Sequence, residues 1–474
     1  MSVAPVPELE DCAAACAEHL HAARDVLLVS HIDADGLTSA AIAATALRRA
    51  EIPFETVFKK QLDTDEIAAV AATDHETVLF TDFGSGQLDI ITDYAAGEFT
   101  PVVADHHQPA DASTEFHLNP LLFGINGASE LSGAGASYVL ARALENGNTT
   151  ETADNRDLAS LAVVGAVGDM QATSGELIGA NRAIVEEGVD AGVLTERVDL
   201  ALYGRQTRPL PKLLEYSSDV FVPGISNSER GSVGFLSDLD LDLKRDGEWR
   251  TWVDLTDGER QTVASALVQR ALERGVSPDK IDDLVGTTYT LPAESVGTEL
   301  RDASEFSTLL NATARYDRAD VGLAVCLGDR DEALDRARHL LRNHRRNLSE
   351  GLQWVTNEGV TREEHVQWFD AGTHIRETIV GIVAGMALGA DDVDHACPII
   401  AFASKNDDET KVSARATHGL VQQGLDLSQV MGEASSAVDG AGGGHDIAAG
   451  ATIPVNRARE FIEHADRIVG EQIE

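Results

Sequence analysis

Between residues 25 and 104, short apolar runs rich in β-branched residues alternate with stretches of helical character. Four runs predict strands, at Val26–Ser30, Phe54–Phe58, Val78–Thr81 and Val102–Ala104, and the Ala-rich segment Thr38–Ala50 predicts an intervening helix. Strands that alternate with helices form a parallel sheet, so we predict an α/β fold with a doubly wound parallel domain. In such a sheet, ligands bind beyond the carboxyl ends of the strands.

The remainder of the chain divides by its composition. Helices are predicted at 134–146 and 156–167, and the first domain is predicted to cover residues 1–218. Residues 219–304 contain Trp249 and Trp252 and a helix over Arg260–Arg274, and predict a middle, inserted domain. Residues 305–474 predict a smaller α/β domain, with a long charged helix near 330–355, strands at Ile399–Phe402 and Val412–Ala416, and then a glycine cluster.

The net charge of the chain is −42, from 79 acidic and 37 basic residues. The acidic residues are spread throughout, and 30 of the basic residues are Arg against 7 Lys. Acidic excess with scarce Lys is expected of a protein that works in molar salt, where the Debye length falls to roughly 3 Å and self-repulsion is screened. We therefore predict a halophilic cytoplasm. Charge alone argues against a nucleic-acid partner.

Several features of the chain argue against other classes of protein. There is no apolar run of about 18 residues, which predicts no membrane span. The first twenty residues carry no Lys or Arg, unlike a secretory signal, and the four cysteines form no CxxC pair. These features predict a reduced, cytoplasmic protein without a membrane partner. The absence of GxxxxGK[ST] argues against a P-loop ATPase.

His and Asp residues cluster where the predicted strands end. His31, Asp33 and Asp35 follow the first strand, Asp82 the third, Asp105, His106 and His107 the fourth, and Asp169 ends the apolar helix LASLAVVGAVGD. A carboxylate in such a position is costly unless it is paired, hydrogen-bonded or bound to a metal ion. Carboxylates and imidazoles without cysteine suit Mn²⁺ or Mg²⁺ better than a structural zinc ion. So many anionic ligands predict two divalent ions that share a carboxylate.

Each part of this cluster has another explanation when it is taken alone. Asp35 and Gly36 could make a turn, Asp82 could cap a helix, and the two adjacent histidines could be capping or core residues. Their joint occurrence, most of them directly after an apolar run, favours the metal site.

These motifs resemble the DHH phosphoesterases, which are named for the triplet seen here at 105–107. HIDADG at 31–36, the segment around Asp82, ADHH at 104–107 and VGAVGD at 164–169 match the four family motifs. VSARAT at 412–417 and GAGGGHDIAAGATI at 440–453 resemble the DHH-associated domain. The three-part layout and NATARYDRADVGLAVCLGD at 311–329 are similar to archaeal RecJ-like exonucleases, which include a nuclease that associates with the GINS replication complex.

The resemblance implies a role for each residue of the cluster. One metal ion, Mn²⁺ before Mg²⁺, would be bound by His31, Asp33 and Asp82, and the other by Asp35, Asp82, His106 and Asp169. Asp105 would orient an imidazole, and His107 would face the scissile phosphate. A water activated between the two metals would attack phosphorus in line.

The C-terminal motifs predict a phosphate-binding site. Gly442, Gly443 and Gly444 let the backbone approach an anion and present N–H groups to it, although three glycines alone could form a plain turn. His445 adds a donor, and Ser413 and Arg415 lie upstream, where the guanidinium can contact a second phosphate.

Two basic clusters are either solvated faces or contacts to backbone phosphates. One comprises Arg205, Arg208 and Lys212, and the other Arg342, His344, Arg345 and Arg346.

These observations together predict a metal-dependent exonuclease that acts on single-stranded nucleic acid in replication or repair. DNA is the expected substrate in preference to RNA. One alternative is an oligoribonuclease or cyclic-dinucleotide phosphodiesterase of the same family. Another is a non-catalytic replisome scaffold, against which the complete ligand set argues. The resemblance names GINS as a partner.

Overall fold

The computed structural model describes residues 4–145, 154–172, 175–217, 220–390 and 393–473. The chain forms two compact units, Met1–Arg338 and His339–Glu474. Our predicted boundary at residue 305 therefore differs from the structure, which assigns residues 305–338 to the first unit. The boundary predicted between residues 218 and 219 lies outside the described residues.

The first unit is built on a parallel five-stranded sheet. Its strands are β1 (Val26–His31), β2 (Phe54–Lys59), β3 (Thr77–Thr81), β4 (Thr100–Ala104) and β5 (Phe116–Leu118), in the order β2-β1-β3-β4-β5. The four predicted strands and the α/β class are confirmed. In this order the chain winds outward in both directions from β1 and β3, which makes the carboxyl ends of these two strands the switch point.

Helices cover both faces of this sheet. They are α1 (Glu10–Ala22), α2 (Ala34–Arg49), α3 (Thr64–Ala71), α4 (Leu88–Ala95), α5 (Gly133–Leu144), α6 (Ala159–Gly168) and α7 (Gly179–Asp190). Helices α2, α5 and α6 pack against one another. On the opposite face, Leu27 and Phe80 of the sheet pack with Ile67 of α3 and Ile91 of α4. Helices are needed on both faces because the residues of β1 and β3 are buried on both sides of the sheet.

A middle segment has a hydrophobic core of its own. It contains β6 (Thr195–Leu200), α8 (Leu210–Glu215), α9 (Glu229–Ser237), β7 (Lys244–Arg245), β8 (Glu248–Trp249), α10 (Asp257–Glu273), α11 (Pro278–Asp282) and β9 (Val285–Thr290). Strands β6 and β9 pair in an antiparallel ladder, so the segment leaves and rejoins the first domain at the same place. The predicted helix over 260–274 corresponds to α10, and Trp252 is buried in the core of this segment.

The chain then returns to the first domain through α12 (Ala303–Ala314) and α13 (Ala319–Cys326), which both pack against α2. Helix α12 also contacts α6. The Asn311 side chain accepts a hydrogen bond from the Ala34 N–H (3.0 Å), directly beside the HIDADG motif. The family-like segment 311–329 therefore supports the first domain. The long charged helix, α14 (Glu332–Glu358), follows.

The second unit is a mixed six-stranded sheet with helices on both faces. Its elements are β10 (Thr361–Arg362), β11 (Gln367–Asp370), α15 (Val380–Ala387), β12 (Ile399–Ser404), β13 (Glu409–Arg415), α16 (His418–Gln422), α17 (Leu427–Ser436), β14 (Ala441–Gly444), β15 (Ala448–Pro454) and α18 (Ala458–Ile473). The strand order is β10-β11-β12-β13-β15-β14. Gly442, Gly443 and Gly444 thus form an edge strand instead of a glycine turn. Among the described residues, no helix has both the length and the apolar character needed to cross a membrane.

A buried carboxyl at the start of α12 predicts a pH effect on stability. Glu305 is fully buried, and its Oε1 accepts a hydrogen bond from the Gln206 N–H (2.7 Å). Burial, together with the charge of Asp302, raises the pKa of Glu305 from 4.5 to about 7. The stability that this neutral carboxyl contributes is complete below pH 4.5, falls as the unfolded chain ionises, and is fully lost once the pH passes about 7.

We therefore expect the free energy of unfolding to decline by about 3 kcal/mol between pH 4.5 and 7 through this group, at about 1.4 kcal/mol per pH unit. In Glu305→Gln this contribution should be absent, because an amide of the same shape does not titrate. Denaturant unfolding at pH 5, 6, 7 and 8, at one fixed KCl concentration, compares the two proteins. Parallel pH profiles for wild type and variant would contradict the assignment.

Candidate metal centre

The predicted His and Asp cluster lies at the switch point of the first sheet. His31 is the last residue of β1, Asp82 follows β3, and Asp105 to His107 follow β4. These three strands are neighbours and run parallel, so their carboxyl ends meet at one edge. Asp169 is the C-terminal cap of α6 and reaches the same place, since its Oδ2 lies 3.8 Å from the Nε2 of His106.

The turn after β1 fixes Asp33 by helix capping. Its Oδ1 accepts the Gly36 N–H (2.9 Å) at the start of α2, and its Oδ2 lies 3.1 Å from the Nδ1 of His31. A Cβ on Gly36 would lie 2.3 Å from the His31 carbonyl oxygen, so only glycine allows this turn to close. Asp33 therefore serves two purposes: it caps a helix, and its second oxygen faces the cluster.

Asp35 is buried and held by backbone donors. The N–H groups of Gly133 and Ala134, at the first turn of α5, donate to its two oxygens at 2.7 and 3.0 Å. These donors stabilise the carboxylate and fix its direction. The Nε2 of His106 lies 3.7 Å from Asp35 Oδ2.

Asp82 lies buried in the middle of the cluster. It is 1% exposed and has a left-handed backbone (φ 61°). Its Oδ1 lies 3.3 Å from the Nε2 of His106, and its Oδ2 lies 3.5 Å from the Nδ1 of His31. A Cβ on Gly133 would come within 2.3 Å of Asp82 Oδ1. Glycine at residue 133 is therefore required to leave room for this carboxylate.

The cluster contains two buried polar atoms without a hydrogen-bond partner, Asp82 Oδ1 and His106 Nε2. The Nδ1–H of His106 donates to the Gly127 carbonyl (2.7 Å), so in the neutral ring Nε2 carries a lone pair. A lone pair directed at carboxylate oxygens requires a cation or a proton between them. This set of donor atoms therefore fits a divalent metal ion. The Gly127 carbonyl, bound to the other nitrogen of the ring, would fix the orientation of the His106 imidazole.

The potential ligand atoms fall into groups that share members. His31, Asp33 and Asp82 offer atoms that lie within 4.8 Å of one another, and Asp35, His106 and Asp169 offer another such group. Asp82 also groups with Asp105 and the two adjacent histidines. All six residues predicted as metal ligands are thus brought together, with Asp82 between the first two groups.

The electrostatics of the cluster indicate a demand for positive charge. Burial raises the pKa of Asp35 well above its usual range, and the neighbouring charges of Asp82 and Asp169 add to this effect. Burial alone would lower the pKa of His31, but hydrogen bonding to Asp33 and Asp82 outweighs it and raises the pKa to about 11. Burial would also lower the pKa of His106, but the negative charges of Asp82, Asp35 and Asp105 outweigh it and raise that pKa well above its usual value. The carboxylates thus draw protons onto their neighbours, and a divalent cation would satisfy the same charges.

Asp105 and His107 form a separate pair beside the cluster. Asp105 is fully buried and accepts the Ser85 N–H (2.9 Å) and the Nδ1–H of His107 (2.8 Å). This hydrogen bond raises the pKa of His107. The His107 side chain is 54% exposed, so its Nε2–H can donate to a bound molecule. The Asn119 side chain donates to the His107 carbonyl (2.9 Å) and to Ser85 Oγ (2.8 Å), which fixes the segment.

Sequence reasoning did not single out several residues that hold this centre together. The Nε2 of Gln171 donates to Asp169 Oδ2 (2.9 Å) and to the Gly127 carbonyl (2.8 Å). It therefore links the Asp169 carboxylate to the carbonyl that orients His106. Gly127 and Gly133 leave room for His106 and Asp82. The run of small residues at 133–137 was a usable signal for Gly133, whereas the role of Gln171 depends on contacts between distant segments.

In the second unit, the predicted phosphate-binding residues lie side by side on the sheet. Ser413 on β13 pairs with Gly450 on β15, which in turn pairs with Gly443 on β14. Arg415 pairs with Ala448, whose carbonyl accepts the His445 N–H (2.9 Å). These residues therefore form two adjacent rows across three strands. A Cβ on Gly443 would meet nothing within 4 Å, so the sheet surface is open there.

The basic cluster at 205–212 divides in the structure. Arg205 is buried and forms an ion pair with Asp302, which excludes it from contacts with phosphate. Arg208 stacks on the rings of Tyr203 and Tyr216, with its Cζ at 4.7 and 5.2 Å from their centroids. In the second cluster, Arg346 lies 3.9 Å from Glu350 on the surface of α14, as expected for a solvated helix face.

Comparison with known families and proteins agrees with this architecture. The DHH family N-terminal domain matches residues 25–166, the DHH-CID domain matches 202–285, and the DHHA1 domain matches 366–471. An uncharacterized protein from Methanocaldococcus jannaschii is 28% identical over 456 residues, which is 94% of each chain.

Two solved structures share the fold. RecJ from Thermus thermophilus, in complex with Mn²⁺, has a TM-score of 0.61 at 17% identity, covering 99% of this chain and 56% of that one. The chain therefore spans little more than half of that RecJ. CDC45 from Entamoeba histolytica has a TM-score of 0.66 at 11% identity, covering 98% of both chains.

Proposed function

We propose that this DHH-family chain, with its DHH, DHH-CID and DHHA1 domains, is a divalent-metal-dependent phosphodiesterase that degrades single-stranded nucleic acid from an end. The observation that carries the proposal is that six carboxylate and imidazole side chains lie together. Two of their buried atoms, Asp82 Oδ1 and His106 Nε2, have no hydrogen-bond partner. DNA is the expected substrate, in replication or repair, and the cytoplasm is the expected location.

The ligand groups support two metal ions, Mn²⁺ before Mg²⁺. His31, Asp33 and Asp82 would hold one ion, and Asp35, Asp82, His106 and Asp169 the other. Divalent ions at such a site lower the pKa of water and neutralise charge on the phosphoryl oxygens. The protein side chains contribute a positioned proton donor. Asp105 holds the His107 imidazolium in position, and the exposed Nε2–H of His107 donates to a phosphate oxygen or to the leaving group.

The open sheet surface of the second unit supports binding of a second phosphate. Arg415, His445 and the edge strand formed by Gly442, Gly443 and Gly444 supply the donors, and Ser413, which is 6% exposed, lies beside them on β13. Lys411 lies on the same face of β13, two residues before Ser413. A phosphate held there would add affinity for a nucleic-acid strand.

Degradation of end-labelled single-stranded DNA in high KCl tests the proposal. We expect cleavage with Mn²⁺ and none with EDTA. In His106→Ala the rate should fall at least about 10²-fold, because even a residue that only supports a metal ligand is worth 10–100-fold. His21→Ala, an exposed histidine on α1 in the same unit, is the matched control. Equal rates for His106→Ala and wild type would contradict the metal-site assignment.

A small-substrate phosphodiesterase, acting on short oligonucleotides or cyclic dinucleotides, is the alternative enzyme. The same assay run on dimers and 20-mers separates the two, because a strand-degrading enzyme gains affinity from contacts along the strand. Preference for dimers would replace the exonuclease proposal with this alternative.

A replisome scaffold is the alternative from another class, and the fold shared with CDC45 is compatible with it. The complete ligand cluster favours catalysis, because buried carboxylates are costly to keep without a cation. Association with GINS stays a proposal that rests on the sequence resemblance alone.

A further inference from the structure

A cavity of about 630 Å³ opens beside the metal centre on the side of His31 and His107. It is enclosed by the loop after β2, the turn after β3 and Gln108. Its volume is within the range of sites that bind a small molecule or one unit of a polymer. Because His107 and Asp82 also line it, a ligand in this cavity would lie next to the phosphate being cut.

One wall of the cavity is apolar and rigid. Leu62 and Phe83 line it and are only 5% and 8% exposed. Both belong to the hydrophobic core between the sheet and helices α3 and α4. The Phe83 ring lies 6.1 Å from the His31 ring, so an aromatic surface extends to the edge of the metal centre. Because so little of either side chain is exposed, they form a small apolar floor against which part of a flat group can lie.

The polar groups of the cavity are neutral amides. Gln61, Gln87 and Gln108 line it, and each side chain offers one acceptor and two donors. Such amides form paired hydrogen bonds with the edge of a nucleobase. An aromatic or apolar wall combined with amide groups is the combination that proteins use for unpaired bases.

The charged residues that line the cavity outside the metal centre already have partners of their own. Apart from the cluster residues His31, Asp82 and His107, its charged lining residues are Lys60 and Asp63. Lys60 forms an ion pair with Asp317 (2.6 Å), and Asp63 caps α3 by accepting the Glu66 N–H (2.9 Å). Outside the metal centre, the lysine of the lining is thus already paired, which favours an uncharged ligand group over a phosphate in this cavity.

We propose that this cavity binds one unpaired nucleobase, in a nucleotide that flanks the scissile phosphate, with its ring against the small apolar floor of Phe83 and Leu62 and its polar edge on Gln87 and Gln108. The proposal rests on the proposed nuclease function and names what the site recognises. A base in a duplex has its Watson–Crick edge occupied and its faces stacked, so it does not enter. The cavity thereby selects single strands.

The test uses end-labelled single strands with an abasic residue at either nucleotide flanking the first scissile phosphate. For wild-type protein we expect one of the two abasic strands to be cut about 10- to 100-fold more slowly than the normal strand, the range found when base stacking is lost. In the double variant Gln87→Ala/Gln108→Ala, the ratio of normal to abasic rates should fall at least about fivefold. Gln269→Ala, an exposed glutamine on α10, is the control and should keep the wild-type ratio.

Hydrolysis of bis(p-nitrophenyl) phosphate, a diester without a base, is measured in parallel on wild-type protein. Cleavage of this diester with equal rates on normal and abasic strands would overturn the cavity proposal and leave the nuclease function standing. A double variant that keeps the wild-type ratio would also overturn it. Failure to hydrolyse either the diester or any strand would instead overturn the nuclease function itself.

Discussion

Replacement of Asp82 by asparagine is expected to lower Mn²⁺-dependent cleavage at least about 10³-fold. Its two oxygens face His31 and His106, at 3.5 and 3.3 Å, so this carboxylate is placed to serve both of the proposed metal ions. Loss of a shared ligand should exceed the 10–100-fold effect of losing a residue that only supports a ligand. Asparagine keeps the shape of the side chain and tolerates the left-handed backbone at this position (φ 61°).

The same substitution should leave the metal-free protein folded. Asp82 raises the pKa of both Asp35 and Asp169 by its negative charge, so a neutral side chain relieves this repulsion, but it also loses the attraction to His31 and His106. Because these two effects oppose each other, the melting temperature of the metal-free variant should stay within a few degrees of wild type. With Mn²⁺, wild type should gain stability by about 3 kcal/mol at a hundredfold excess over Kd, and the variant should gain much less.

Calorimetric melting with and without Mn²⁺, run beside the cleavage assay, checks both outcomes. Asp89→Asn, an exposed aspartate in the first turn of α4, is the matched control for loss of one negative charge. If Asp82→Asn cuts like wild type, Asp82 is not a shared ligand. If the variant is unfolded without metal, the carboxylate has a structural role that the ligand assignment does not include.

Transfer from molar KCl to 50 mM KCl is expected to lower the melting temperature by about 10 °C or more. One-to-one pairing of every basic residue would still leave 42 negative charges without a partner. At 1 M salt the Debye length is roughly 3 Å and exposed carboxylates barely interact, whereas at 0.1 M it is about 10 Å and they repel. A loss of about 4 kcal/mol corresponds to about 10 °C, at ~2–4 °C per kcal/mol.

The measurement is a melting curve at several KCl concentrations, with cleavage followed under the same conditions. Sucrose added to the low-salt sample is the control, because it stabilises by exclusion from the surface and does not screen charge. A recovery of the melting temperature with KCl that clearly exceeds the general stabilisation by sucrose supports charge screening. Full activity and unchanged melting at 50 mM KCl would contradict the halophilic interpretation.

The strands and the cluster of candidate ligands were predictable because they depend on local sequence. Buried parallel strands are continuous apolar runs, and their carboxyl ends are fixed by topology, so His31, Asp82 and His106 were placed together from spacing and motif. The glycine cluster was harder, because three glycines fit a turn as well as a strand. Pairing with β15 decides for the strand.

The predicted domain boundary at residue 305 differs from the division between the two compact units, because that division depends on packing between distant segments. The sequence of α12 and α13 shows helices, but nothing local says which core they join. Contacts with α2, and the hydrogen bond from Ala34 to Asn311, assign them to the first unit.

The sequence by itself determined the sheet class, the cluster of candidate metal ligands and the acidic composition, because each of these is written in short segments of apolar, acidic or imidazole side chains. Only the tertiary structure decided which atoms of these candidate ligands face one another, why Gly133 must lack a side chain, and that an amide-lined cavity adjoins the acidic centre. These properties depend on distances between segments far apart in the chain, such as Asp82 and Gly133, and packing alone sets those distances.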